Sequence, residues 1–169
     1  MSKRALKKYL AQLDKNALQE QLLDLYERFP QVKTYYDFVF NPKEDKLVEQ
    51  AKIKIGKEYF PDNGRRPKKR RSVAQRFIKH FKTLGMDAVL LADVMLFHIE
   101  VAQTYTADTV IKQEAFYKSM GKAFGEALQH IRYQGLLPHF EDRLHTIVTQ
   151  SEIQNWSNAY LFKEQLEEI

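Results

Sequence analysis

Apolar side chains return every three or four positions along most of this chain, the spacing of helices that bury one face. Ala5, Leu6, Tyr9, Leu10 and Leu13 predict a first helix with Ser2 as its N-cap. Asp14 is the candidate cap of a second, whose stripe is Leu18, Leu22, Leu23, Leu25, Tyr26 and Phe29 and whose stop is Pro30. The two are expected to form a hairpin. Val32, Tyr35, Tyr36, Val39 and Phe40 continue the period as a short aromatic helix. Asn41-Pro42 then reads as the N-cap and first position of a helix through Leu47, Val48, Ala51, Ile55 and Tyr59, ending near Phe60-Pro61.

Asp62-Asn63-Gly64 is a turn signal. From Gly64 to Arg71 there is nothing apolar to bury beyond a proline, and six cations repel one another, so a solvated loop is expected. The next helix starts at Pro67 or is capped by Ser72, and it carries Val73, Phe77, Ile78, Phe81 and Leu84 towards a core before Gly85 ends it. Asp87 caps the most apolar helix, Ala88 to about Tyr105, which is expected to be the central element. A helix from Asp108 or Thr109 follows, with Val110, Ile111, Phe116, Met120, Phe124, Leu128 and Ile131 as its stripe and Gly135 as its terminator. Pro138 opens a helix through Phe140, Leu144, Ile147 and Val148, and a last one carries Trp156, Tyr160, Leu161 and Leu166. No alternating apolar pattern flanks the one Asn-Gly pair. The chain is therefore expected to be all-α: seven to nine helices in a helical bundle or stacked hairpins. A single domain over 1–169 is expected, with hairpins over 1–60, a basic loop over 61–71 and a helical core over 72–169.

Composition sets limits on function. The 169 residues suit one domain of ordinary size, and 44% hydrophobic content is enough to build a core. Cysteine is absent, which excludes disulfides, thiolate metal sites and thiol nucleophiles. The basic N-terminal segment leads into an amphipathic pattern and does not read as a secretory signal. The apolar stretch Ala88 to Ala102 is shorter than the about 20 residues a bilayer requires and contains Asp93, His98 and Glu100. A soluble, cytoplasmic protein with no membrane partner is expected.

Charge changes the picture most. The net charge is only +5. Residues 1–29 contribute +2, residues 30–63 contribute nothing, and residues 86–169 contribute −6. Residues 64–85 hold Arg65, Arg66, Lys68, Lys69, Arg70, Arg71, Arg76, Lys79 and Lys82 with no acid, a local +9. Phosphate backbones reward clustered Lys and Arg through counterion release, and arginine adds bidentate geometry, so these nine are the candidate polyanion-binding residues. The competing expectation is that the acidic residues of 86–169 neutralise them within the fold. Candidate partners are nucleic acid or an acidic protein surface.

Other constellations are weaker. His80, His98, His130, His139 and His145 lack the Glu-x-x-His pairing of a di-iron bundle and the His-Glu-x-x-His of a zincin, so no metal site is expected. A hydrogen-bonded, partly buried histidine is the better account of any one of them. Gly121 and Gly125 share a helix face and would admit a close helix, either within the fold or across a homodimer. Tyr35, Tyr36, Phe38 and Phe40 are expected in the core. No phosphate-binding glycine loop, nucleophile elbow or catalytic triad is visible, so no catalytic residue and no cofactor is assigned. A binding role is expected ahead of an enzymatic one, with a protein-interaction adaptor or homodimer as the alternative to polyanion binding.

Four segments carry a resemblance. They are Ser2-Lys3-Arg4-Ala5-Leu6-Lys7-Lys8-Tyr9-Leu10, Leu25-Tyr26-Glu27-Arg28-Phe29, the run from Tyr35 to Asp45, and Arg70-Arg71-Ser72-Val73-Ala74-Gln75. Together they resemble a bacterial family defined only as a domain of unknown function. The resemblance spans most of the chain and implies a small, all-helical cytoplasmic protein. It implies no catalytic residue and no ligand.

Overall fold

A computed structural model describes residues 2–168, and among them are nine helices and no strand. They are α1 (Lys3–Leu10), α2 (Lys15–Arg28), α3 (Pro30–Phe40), α4 (Glu44–Tyr59), α5 (Arg71–Leu84), α6 (Ala88–Asp108), α7 (Glu114–Tyr133), α8 (Leu137–Ile153) and α9 (Ala159–Glu167). The caps read from local chemistry are present. Ser2 Oγ accepts from the Ala5 N–H at 3.2 Å, Asp14 from Ala17 at 2.8 Å, and Asp87 from Val89 and Leu90 at 2.9 and 3.1 Å. Gly85 ends α5 in the left-handed region, φ 72°.

Three boundaries differ from the expectation. Asn41 closes α3 instead of capping α4: its N–H donates to the Asp37 carbonyl, and α4 begins only at Glu44. Asp108 is the last residue of α6, so α7 starts at Glu114 and leaves Val110 exposed. Trp156 lies before α9, where its indole N–H donates to Thr106 Oγ1 and Gln154 Oε1, both at 3.2 Å.

Contacts divide the chain into two compact units, Met1–Lys43 and Glu44–Ile169, so α4 belongs with the C-terminal helices. In the first unit α2 packs on α3, Gln21 Nε2 donates to the Tyr9 hydroxyl at 2.6 Å, and Tyr26 donates to Asp37 at 3.1 Å. None of the described side chains in α1, α2 or α3 is buried. The expected core role of Tyr35, Tyr36, Phe38 and Phe40 is therefore not met; Phe40 is 81% exposed.

The second unit is built around α6, which touches α4, α5, α7 and α8 and buries ten side chains. At 21 residues α6 outruns the apolar stretch counted in the sequence, and by length and composition it is apolar enough to cross a membrane. Contrary to the expectation from sequence, the region is thus not too short to span, because the helix continues through Gln103 to Asp108. Its polar residues are paired across the unit. Arg143 of α8 meets Asp93 at 2.7 Å and Glu100 at 2.5 and 2.8 Å, and Lys52 of α4 meets Asp93 at 2.5 Å. Burial alone would raise the Asp93 pKa, yet Lys52 and Arg143 outweigh it and hold the carboxyl below its ordinary value.

The glycine face of α7 is occupied from within. A Cβ on Gly121 would lie 2.8 Å from Asn158 Nδ2, and one on Gly125 would lie 3.4 Å from the Gln165 amide. Asn158 cannot simply swing away, because its Nδ2 donates to the Tyr117 carbonyl at 2.7 Å. Gly121→Ala is expected to destabilise the protein by about 1–2 kcal/mol: the lost hydrogen bond and overpacking outweigh the gain in helix propensity. Gly125→Ala should be near neutral, and urea unfolding of the two variants measures the contrast.

Candidate polyanion interface

The basic segment is a strap with a fixed root. It leaves α4 through a turn at Asn63 and Gly64, both at positive φ, and re-enters helix at Arg71. Neither the expected start at Pro67 nor the expected cap at Ser72 is used. Arg70 takes the N-cap position, and the group that holds this end is the carboxylate of Glu58. Glu58 accepts from Arg70 Nε at 2.9 Å, from Arg70 Nη2 at 2.7 Å and from the Arg70 N–H at 3.2 Å. Its carbonyl also accepts from the Lys69 N–H at 2.8 Å, which secures Lys69 at φ 53°. The Arg70 guanidinium keeps the Glu58 carboxyl below its usual value, against a burial effect that acts the other way. A carboxylate beside the first turn of α5 also suits the helix dipole.

Two further cations are engaged with the protein itself. Arg71 Nη1 donates to the Ala115 carbonyl, and Lys69 Nζ stands 5.4 Å from the Tyr105 ring centroid. Of the nine candidates, Lys69, Arg70 and Arg71 therefore root the strap. The other six, Arg65, Arg66, Lys68, Arg76, Lys79 and Lys82, are exposed and form no ion pair among the described residues. The expected alternative was neutralisation by residues 86–169. Among the described residues, the ion pair made by one of the nine, Arg70, instead goes to Glu58, outside that half.

Five of the six free cations, all but Arg76, lie along adjoining depressions. Arg65, Arg66, Lys68 and Arg70 line one of about 310 Å³, together with Lys57, Glu58 and Asp62; its two acids are paired with Lys57 and Arg70, which leaves Arg65, Arg66 and Lys68 as the excess charge. Lys68 and Arg70 are shared with a second of about 380 Å³ along the start of α5. Gln75 and Ser119 are shared in turn with a third, about 210 Å³, whose mouth carries Lys79 and Lys82. On α5 itself Arg76, Lys79 and Lys82 fall at i, i+3 and i+6, within one side of the helix. The result is a track of positive charge from the strap to the α5–α7 side of the unit. Arg76 is the one free cation outside the depressions' linings.

Sequence reasoning missed Glu58, Gln75, Ser119 and His98, which also lines the third depression. It expected buried histidines to be hydrogen-bonded. His130 meets that expectation, with Nε2 3.0 Å from the Ala88 carbonyl. His98 does not: it is 1% exposed and neither ring nitrogen has a hydrogen-bond partner. Among the described residues no group of three or more His, Asp or Glu gathers as a metal site. A larger depression of about 600 Å³ lies between α8 and α9, but Glu141, Glu152 and Glu167 line it and make it a poor seat for an anion.

What these features define is an all-helical protein with an anchored, cation-rich strap. The chain belongs to a family of unknown function (DUF6155), whose profile matches residues 1–169. No curated protein and no solved structure matches it.

Proposed function

We propose that this protein binds nucleic acid or a similar polyanion along the track formed by residues 64–85, as a bacterial cytoplasmic binding protein and not an enzyme. The observation that carries the reading is the division of labour among the nine cations. Lys69, Arg70 and Arg71 hold the strap in place, and six others stand exposed and form no ion pair among the described residues. A rooted strap loses less conformational entropy on binding than a free loop would, so more of each phosphate contact appears as affinity. No base-reading element accompanies the track, which favours recognition of the phosphate backbone over sequence.

The test follows from the same division. Arg65→Ala, Arg66→Ala and Lys68→Ala together remove cations that hold nothing in place. The triple variant should keep the parent's stability and lose about a hundredfold in affinity for a single-stranded RNA, at roughly tenfold or less per phosphate contact. Fluorescence anisotropy with a labelled strand measures it, and unchanged affinity would remove the basis of the reading. Charge reversal at Arg70 and Arg71 is the wrong test because it breaks the root.

One observation favours the alternative, a protein-interaction adaptor or homodimer. The helices α1 to α3 have no buried side chain, and Leu22, Leu25, Phe29 and Tyr35 are each more than 40% exposed. Light scattering that finds a dimer, with no retention of RNA, would replace the first reading by this one.

A further inference from the structure

The groove of about 600 Å³ between α8 and α9 has a chemistry that the polyanion reading does not use. Its lining follows one face of α8 from Leu137 through Glu141, His145 and Thr149 to Glu152, a run of about 22 Å at 1.5 Å per residue. Lys163, Leu166 and Glu167 of α9 form the other wall. Leu144 and Val148 are buried and only shape the floor, so the apolar surface open to a partner belongs to Leu137, Pro138 and Leu166. Around it Glu141, Glu152 and Glu167 stand exposed. Glu141 and Glu152 form no ion pair among the described residues, and Glu167 has Lys163 at 3.9 Å. An apolar strip edged by acid fits a helix whose apolar side is edged by cations.

The chain carries such a helix. Among the described helices α1 and α5 hold no acid. α5 already buries Val73, Ala74, Phe81 and Leu84, whereas α1 buries none of its side chains. Leu6 and Tyr9 of α1 are 40% and 45% exposed. Lys3 and Lys7 fall one turn apart beside Leu6 and Leu10, and Arg4 and Lys8 bring the cations to four. At eight residues α1 is about 12 Å long, which the groove accommodates along its length. The Tyr9 hydroxyl accepts from Gln21 of α2 at 2.6 Å, so α1 is presented on a folded support and loses little freedom on docking.

We propose that α1 of one copy docks in the α8–α9 groove of a second, and that the exchange is reciprocal. Leu6 and Tyr9 lie against Leu137, Pro138 and Leu166, with the α1 cations beside Glu141, Glu152 and Glu167. A single eight-residue helix buries less than the about 800 Å² per partner of a stable complex, and making the contact twice closes a symmetric dimer. Neither surface includes residues 64–85. The dimer therefore goes beyond the polyanion reading, and it gives the homodimer a definite contact without requiring RNA binding to fail.

Sedimentation equilibrium of the full chain between about 1 and 200 μM should show a monomer–dimer equilibrium with a Kd of about 10 μM. Lys3→Glu with Lys7→Glu, and separately Glu141→Lys with Glu152→Lys, should each weaken it by about a hundredfold through like-charge juxtaposition. All four positions are exposed, so both variants should keep the parent's circular dichroism. Mixed in equal amounts the two monomeric variants should dimerise again, because the reversed α1 meets the reversed groove and the unchanged α1 meets the unchanged one. The Arg65, Arg66 and Lys68 triple alanine variant should dimerise like the parent while losing RNA, which separates failure of one reading from failure of the other. A parent that stays monomeric at about 200 μM, a double variant that dimerises like the parent, or a mixture that remains monomeric overturns the proposal. A monomeric parent whose α1 amide signals move in the groove variant assigns the groove to the chain's own α1, which likewise overturns the second copy.

Discussion

Arg143→Ala should cost about 2–4 kcal/mol of unfolding free energy, a large effect for one charged side chain. Arg143 is the only described residue that pairs with both Asp93 and Glu100, and its side chain is 28% exposed. Removing it leaves Glu100 facing Asp93 across the α6–α8 contact with Lys52 alone to compensate. The figure sits at the low end of what breaking a fully buried pair costs, because water reaches these groups and screens them. Replacing Arg143, Asp93 and Glu100 together by apolar residues of similar size should cost less than Arg143→Ala alone, since no charge is then stranded. Guanidinium unfolding of both variants checks the order, and a single variant as stable as the parent would contradict it.

Stability should also fall by about 3 kcal/mol between pH 6.5 and pH 4 through His98 alone. Burial, reinforced by the positive charge of Arg71, lowers its pKa from the ordinary 6.5 to about 4. A group held neutral in the fold contributes its full stability above the unfolded value. As pH drops below 6.5 the unfolded chain takes up a proton that the folded chain refuses, and the loss levels off near 4. The charges around the ring are Arg71, Lys79 and Lys82 on α5 and Lys122 and Glu126 on α7, so the surroundings are mainly cationic and oppose protonation. Glu58 and Asp93, both with lowered pKa, keep their contributions until pH falls beneath their ordinary 4.5 and 3.8, and so act at the acid end of this window or below it. Urea unfolding at closely spaced pH values should therefore show a slope that His98→Leu flattens. An identical slope in that variant would mean the ring is not held neutral.

Much of the fold is legible in the sequence because helix ends are local. Ser2, Asp14 and Asp87 cap through atoms two or three residues away, and Gly85 stops α5 by its own backbone freedom. The misplaced boundaries arise where a residue has two local uses: Asn41 can cap the helix after it but closes the one before it, and Asp108 can start a helix but finishes α6. The candidate site is legible only in part. Nine cations in 22 residues are visible in any reading. Which of them are structural depends on Glu58, twelve positions before Arg70, and on the Ala115 carbonyl, forty-four positions after Arg71, and no local pattern announces either. His98 looks in sequence like any core histidine. Its isolation is set by α5 and α7, which come from segments well before and after it.

The strap also changes what the net charge means. A +5 chain is unremarkable, but six exposed cations that form no ion pair among the described residues, on a segment rooted by three more, give a surface whose affinity for a polyanion must depend on salt. The measurement that bears most directly on the central claim is the affinity of the unmodified protein for a single-stranded RNA across a range of potassium chloride concentrations. If all six free cations contact phosphate, log K should fall against log salt with a slope of about −4. A slope shallower than about −1, or no measurable binding at low salt, would contradict the account.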